Sequence, residues 1–392
     1  MPEVAKVLGR IQLKLNLNDL SLNASHHAFT AERSTMTSLA SITQDWYNAT
    51  DSGSPYNGVH VVFVDFRKAF DLVDHGVLLS KLSGMGITKS FWKWTQSYLS
   101  GKTQQVKLPG VLSRHGEVIA GVPQGGVISP TLFNVHVNDI EDCIPRGIPV
   151  STCKYADDCT LYELVFKDSV SQMQDAVTHL EGWAVQNKIE LNAKKTRDMW
   201  ITFKKSCPIS APINIGPTEL ERVPEFKLLS AYVQNDLKWN THVSSIVSKA
   251  CKRIHYLRVC RKAHLPRDIG LTTYITKIRP VLEYASPVWR GPPIYLDEDI
   301  QRVQNRCLNV IGLPRETVES LVTGRQNLTR KEFKRILESE AHPCKRFLDK
   351  PVDHGHNLRS CKTNPAHLRI PVSRSVRHKQ SLIPRGAKFN LM

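Results

Sequence analysis

The sequence predicts an α+β fold on three observations. Short β-branched and aromatic runs recur at 59–65, 150–155, 159–164 and 199–203. Longer stretches between them place apolar residues at helical spacing. No internal repeat or low-complexity tract replaces this alternation.

Residues 1–50 read as a helix, an irregular stretch over 18–34, and a second helix with Leu39, Ile42 and Trp46 on one face. A polar loop with Gly and Pro spans 48–58. The run 59–65 is read as a buried strand that ends at an acid. Helices are expected over 74–82 and 89–99, the second carrying Phe91, Trp92, Trp94 and Tyr98, with Gly84 and Gly86 as punctuation. Residues 104–108 and 117–120 are expected to pair, ahead of the turn-rich stretch 121–126. A helix over 129–139 would open on Ser129 as N-cap and Pro130 at the first helical position, where a missing N–H costs nothing.

The runs 150–155 and 159–164 flank Ala156-Asp157-Asp158 as a hairpin. Residues 169–188 form a long amphipathic helix on Met173, Val177, Leu180 and Val185, with Trp183 near that face. Pro208, Pro212 and Pro217 mark a linker or irregular edge near 207–217. Val243, Ile246, Val247, Ala250, Ile254 and Leu257 share one face of a basic helix, with Lys249, Lys252, Arg253 and Arg258 largely on others. Beyond Arg315 the chain turns polar and basic, and little periodicity remains past His342, so a partly irregular tail is expected.

Composition narrows the function. The 392 residues leave room for two or three domains, and 41% hydrophobic with 23% charged residues is globular. Lys and Arg total 53 against 36 Asp and Glu, a net charge of +17 that suits a polyanionic partner, most often nucleic acid. The longest apolar run, 61–64, falls far short of the roughly 18 residues that span a bilayer, and no secretory signal is visible. Nine cysteines, none in a Cys-x-x-Cys pair, argue against a disulfide scaffold or zinc ribbon and for a reducing, intracellular setting. Cys344, His354, His356, Cys361 and His367 in the tail match no compact zinc pattern.

Three acids sit where acids are costly. Asp65 closes a core strand, and Asp157 and Asp158 are adjacent at a hairpin tip. Like charges so close repel unless a cation compensates them. Magnesium takes oxygen ligands from one or two carboxylates plus substrate phosphates, and a pair of ions about 3.5–4 Å apart stabilises phosphoryl transfer. The plain alternatives are turn chemistry for the Asp-Asp pair and a cap for Asp65.

The neighbours of these acids carry a resemblance. Val64-Asp65-Phe66-Arg67-Lys68-Ala69-Phe70-Asp71, then Val122-Pro123-Gln124-Gly125, then Tyr155-Ala156-Asp157-Asp158 resemble, in order and spacing, the reverse transcriptases of non-LTR (LINE-type, jockey-like) retrotransposons. The similarity extends upstream to 27–35 and downstream to 191–196, 226–229 and 279–289, covering about residues 1–315. It implies a right-hand polymerase with an antiparallel palm sheet, partial fingers and a helical thumb. Fingers and palm would occupy 1–206 (or to about 233), the thumb with its primer-gripping hairpin 218–315, and the basic tail 316–392.

The resemblance also implies roles. Asp65, Asp157 and Asp158 would ligate two Mg2+ ions (or Mn2+), and Lys195 would protonate the departing pyrophosphate. Phe70 falls where the family sets an aromatic gate against a ribose 2′-hydroxyl; its alternative is a core phenylalanine. Gln124 would approach the incoming nucleotide and template, or simply belong to a tight turn. Arg33 would hold the triphosphate, or else make a surface or capping ion pair. Phe66 and Tyr155 would line the substrate site. Phe226, Lys227, Leu228 and Leu229 would grip the primer, and the basic helix 243–262 would track duplex phosphates. The implied partners are an RNA template, a DNA primer and deoxynucleoside triphosphates. A catalytically inactive remnant that only binds nucleic acid is the alternative, and a metal-dependent nuclease a third reading.

Departures accompany the match. Only about 28 residues precede Phe29, so N-terminally truncated fingers are expected. Gly126 stands where serine commonly follows Pro-Gln-Gly, and Ser230 where glycine usually follows Lys-Leu-Leu. If position 230 needs a positive φ, serine would cost on the order of 1 kcal/mol there.

Overall fold

A computed structural model describes residues 3–16, 20–51, 53–204, 210–289, 293–348 and 373–390. In chain order, helices α1 (Glu3–Asn16) and α2 (Thr35–Thr50) precede strand β1 (Tyr56–Val64). Helices α3 (His75–Gly84) and α4 (Lys89–Leu99) lead into four two-residue strands, β2 (Thr103–Gln104), β3 (Lys107–Leu108), β4 (Val111–Leu112) and β5 (Gly116–Glu117). Next come α5 (Ser129–His136), β6 (Val150–Tyr155), β7 (Asp158–Phe166), α6 (Met173–Gln186) and β8 (Arg197–Ile201). Short strands β9 (Asn214–Ile215), β10 (Thr218–Glu219) and β11 (Glu221–Arg222) precede the hairpin β12 (Glu225–Leu228) and β13 (Ala231–Gln234). The rest of the described chain is helical, beginning with α7 (Asn240–Lys262) and α8 (Arg267–Thr273).

The chain divides into two compact units that interleave in sequence. One comprises Met1–Ser34, His60–Met199 and Pro208–Val223; the other comprises Thr35–Val59, Trp200–Cys207 and Pro224–Met392.

The first unit is built on a five-stranded sheet in the order β11-β8-β1-β7-β6. Strand β1 lies in its centre, and Val59, Val61, Val62, Phe63 and Val64 are buried on both faces, so the run is apolar except at buried His60 rather than alternating. β6 and β7 form the expected antiparallel hairpin, while the edge pair β8–β11 runs parallel. Val62, Val64, Leu82, Phe133, Leu161, Leu180 and Trp183 join one core between sheet and helices. Val185, expected on the buried face of α6, is 79% exposed; Ala176 and Ala184 take its place in the contact. Ser129 does not cap α5: its hydroxyl donates instead to the Pro123 carbonyl at 2.6 Å.

Two buried polar networks fix the sheet's partners. Lys154 of β6 is fully buried, and its Nζ donates to the carbonyls of Val137 (3.0 Å) and Asn138 (3.2 Å) and to Glu141 Oε2 (2.5 Å). Glu141 also accepts from Ser25 and Thr152, so its charge is shared among three donors. Farther along the sheet, His60 lies between Ser171 (2.7 Å) and Asp198 (2.8 Å), and Arg222 donates to the same Asp198 at 2.6 Å.

In the second unit, α7 buries His242, Val243, Ile246, Ala250, Ile254 and Leu257, the face read from sequence with His242 added and Val247 only half-buried. It packs against helix α11 (Ile294–Ile311). Between α8 and α11 a π segment, Tyr274–Ile278, leads into α9 (Arg279–Glu283), where Pro280 lacks the N–H that a regular ladder needs, and α10 (Ser286–Trp289) follows. Residues 316–392, expected to be partly irregular, carry helix α12 (Leu321–Glu338) and two short helices, Val376–Gln380 and Leu382–Asn390, that pack on α2. Cys344 is buried there; His354, His356, Cys361 and His367 lie outside the described residues. Among the described residues the cysteines are free, and no helix is long and apolar enough to cross a membrane.

The hairpin β12–β13 closes through Leu229 (φ 44) and Ser230 (φ 68), both left-handed, with Leu228 opposite Ala231. Such a two-residue turn favours glycine, so the serine is strained as expected. Ser230→Gly should stabilise the unit that carries the hairpin by about 1 kcal/mol, read as a higher denaturant midpoint. An unchanged or lower midpoint contradicts this.

Candidate active site

The hairpin tip and the end of the central strand bring three acids together. Tyr155 and Asp158 are the last paired residues of β6 and β7, so Ala156 (φ 55) and Asp157 form a two-residue turn and Asp158 opens β7. Asp65 follows the last residue of β1, the neighbour of β7 in the sheet.

Asp65 is anchored by the segment 190–196. Its backbone N–H donates to Thr196 Oγ1 at 3.2 Å, its Oδ2 accepts from Asn192 Nδ2 at 2.9 Å, and its carbonyl accepts from Asn192 N at 2.8 Å. The pairing continues from Arg67 N to the Glu190 carbonyl at 2.8 Å, with an Arg67–Glu190 ion pair at 3.0 Å outside it. Asn192 and Thr196 were legible only as parts of the 191–196 motif; nothing in their spacing marked them as partners of an acid 127 and 131 residues away.

Burial and the neighbouring acids also bear on protonation. Asp158 is exposed as a residue, yet its carboxyl is pushed up from 3.8 to about 6, first by desolvation, then by the charges of Asp157 and Asp65. Such uncompensated negative charge suits a hard divalent cation, and reverse transcriptases generally use divalent metals. Among the described residues no group of three or more His, Cys, Asp or Glu is arranged to hold an ion by itself. One or two carboxylates completed by substrate phosphates is the usual way magnesium is held, and these acids fit that pattern.

Around the acids, the expected site residues differ in how they are placed. Phe70 is half-buried and stacks on Phe133, centroids 4.4 Å apart at 18°. Gln124 is exposed and donates through Nε2 to Asp71 Oδ1 at 2.9 Å. Lys195 is exposed, and its backbone N–H closes a turn onto the Asn192 carbonyl at 3.0 Å. The ring of Phe66 is a correction to the expected substrate site: it is 6% exposed and packs 6.4 Å from Trp183, because position 66 points into the core where 65 points out. Its main chain still borders the site through the bridge to Leu191.

Arg33 spends Nη1 on the carbonyls of Ala24 and His26, the latter at 2.8 Å. That segment in turn pairs with β6, His27 N donating to the Lys154 carbonyl at 2.8 Å and Lys154 N to Ser25 at 2.9 Å. Arg33 therefore braces the strand that ends in half-buried Tyr155.

The loop carrying Gln124 is held by close approaches. Val122 N donates to the Phe70 carbonyl at 2.9 Å and Gly121 N to that of Val73 at 2.8 Å. Gly121 has φ +87, and a Cβ there would lie 2.7 Å from the Asp71 carbonyl oxygen. At Gly126 an added Cβ would strike Tyr98 Oη, Ser129 Oγ and, at 3.0 Å, the Pro123 carbonyl. The serine missing at 126 thus has its space filled by the hydroxyls of Tyr98 and Ser129, 3.4 Å apart.

In the second unit, considered by itself, Lys227 is exposed with its Nζ 5.8 Å from the Tyr232 ring, and Phe226 is half-buried. Leu228 is 4% exposed, so its side chain is core rather than a primer contact. Tyr284 donates its hydroxyl to the Leu229 carbonyl at 2.7 Å, and Trp289 Nε1 donates to the Tyr284 carbonyl at 2.7 Å. The 279–289 motif is thereby a brace for the hairpin turn.

The chain belongs to the reverse transcriptase (RNA-dependent DNA polymerase) family, whose profile matches residues 6–257. A second profile, alkylated DNA repair protein alkB homolog 8, N-terminal, matches only 239–277, within α7, α8 and the π segment. Its relatives are polymerases of non-LTR retrotransposons. The probable RNA-directed DNA polymerase from transposon BS of Drosophila melanogaster is 26% identical over 64% of this chain and 29% of its own length. That from transposon X-element of the same organism is 25% identical over 79% of this chain and 35% of its own. The chain therefore spans about a third of the length of these relatives. A solved telomerase from Candida tropicalis, with a TWJ fragment of telomeric RNA, is 12% identical over 86% of this chain and 49% of its own, at TM-score 0.40.

Two outcomes follow from the geometry. Because the native state keeps the Asp158 proton that the unfolded chain has released, ion-free stability falls as pH rises from about 4 to about 6 and stays lower above it. Asp158→Asn should melt higher than the wild type at pH 7, with the gap closing below about pH 4; equal melting at pH 7 contradicts the assignment. Gly126→Ala should lose about 1–3 kcal/mol to overpacking, and Tyr98→Phe should recover part of it. A second change that adds its own loss in full would show that the hydroxyl does not fill that space.

Proposed function

We propose that the chain is an RNA-directed DNA polymerase that extends a DNA primer on an RNA template with deoxynucleoside triphosphates, using Mg2+ (Mn2+ as substitute). The observation that carries the reading is geometric: the two-residue turn after Tyr155 brings Asp157 and Asp158 to the start of β7, the sheet neighbour of the strand that Asp65 follows. Asp65, Asp157 and Asp158 would hold the ions, which when bound stabilise charge on the attacking and leaving oxygens.

The chain's own residues do the rest. Asp65 meets the site with one carboxylate oxygen held by Asn192. Lys195, on the adjoining turn, donates a proton toward the departing pyrophosphate. The ring of Phe70 is backed by Phe133, so it cannot swing away from a sugar above it. A ribose 2′-hydroxyl would meet an apolar face with no partner, which selects deoxynucleotides. Gln124, tethered by Asp71, presents its amide to the nucleotide and template, while Arg33 and the main chain at Phe66 and Tyr155 border the triphosphate. Lys227 and the basic residues of α7, among them exposed Lys249, Lys252 and Arg258, contact primer and duplex phosphates.

Purified protein should extend a DNA primer on an RNA template with Mg2+, and Asp157→Ala should reduce incorporation by orders of magnitude. Robust extension by that variant removes the mechanism. Salt-sensitive binding of template–primer without incorporation by the wild type would replace it with the binding-only remnant. Phe70→Ala should admit ribonucleotides that the wild type rejects; unchanged selectivity would return Phe70 to the core.

A further inference from the structure

We propose that Asn192 is a positioning residue that orients the Asp65 carboxylate for a divalent ion, a step that rests on the polymerase reading. Asn192 grips Asp65 twice, by side chain on Oδ2 (2.9 Å) and by main chain on the carbonyl (2.8 Å). Its own carbonyl accepts from Lys195 N (3.0 Å) and Thr196 N (2.9 Å), so one residue ties the acid to the turn that carries Lys195.

The chemistry of the donor matters. Asp65 faces two other carboxylates whose repulsion favours rotating it away from them. A lysine or arginine in Asn192's place would hold it but would cancel the charge a cation needs. A neutral amide holds the carboxylate and leaves its full charge available, with Oδ1 as the oxygen that Asn192 does not take. Partners of this kind around ligating carboxylates typically set metal affinity by 10–100-fold.

The test is Mn2+ binding by the full chain with a chain-terminated primer–template and a deoxynucleoside triphosphate, whose phosphates complete the coordination, followed by electron paramagnetic resonance against the same mixture without protein. Asn192→Ala and the size-matched Asn192→Leu should bind Mn2+ about 10–100-fold more weakly, with an unchanged circular dichroism spectrum. In an Asp65→Asn background the same changes should have no further effect, and primer extension by Asn192→Ala should recover as Mn2+ is raised. Wild-type binding that Asn192→Ala leaves unchanged, or an equal loss in the Asp65→Asn background, overturns this proposal alone. A wild type that takes up no Mn2+ overturns the polymerase reading with it. If neither Asn192 variant folds, Asn192 is a determinant of the fold and the positioning role is refuted.

Discussion

Mutual repulsion among Asp65, Asp157 and Asp158 is the constraint around which the first unit is organised. Left alone, three such acids would separate; held together, they add to the desolvation that first pushes the Asp158 carboxyl up. The sheet prevents the separation. A two-residue turn fixes Asp157 and Asp158, and the buried central strand delivers Asp65 beside them with Asn192 and Thr196 clasping it. Stability lost at this point is what makes the point receptive to cations.

The supporting networks share one logic. Lys154, one residue before the Tyr-Ala-Asp-Asp turn, is buried where a lysine is costly, and three oxygens satisfy it. Glu141 draws Ser25 into the same network, so the backbone pairing of 25–27 with β6 is reinforced through side chains. The hairpin that presents the acids is thus tied down on the face away from them.

The two departures from the family pattern have different physical consequences. Gly126 is compensated: the space a serine would use is filled by Tyr98 and Ser129, and the loop keeps its turn through the Pro123 carbonyl. Ser230 is not relieved of strain but is held in place, because Tyr284 fastens the neighbouring Leu229 carbonyl. A left-handed serine is tolerable where such a brace makes the turn the best available choice.

Much of this was legible in the chain itself. The apolar run of β1, the hairpin at 155–158 and the apolar face of α7 follow from local patterning, which depends only on side-chain period and turn chemistry. The order of the acid motifs identified the family for the same reason. Other features were set only by folding. Phe66 and Leu228 turned inward, Val185 outward, and Ser129 gave its hydroxyl to Pro123 rather than to a helix end. The helices beyond Arg315 and the interleaving of the two units also lay beyond local reading. The sequence alone determined which chemical groups are present and which elements carry them. Tertiary structure decided which groups face one another, because contacts such as Asn192 with Asp65 join residues far apart in the chain, and no local periodicity encodes a long-range pairing.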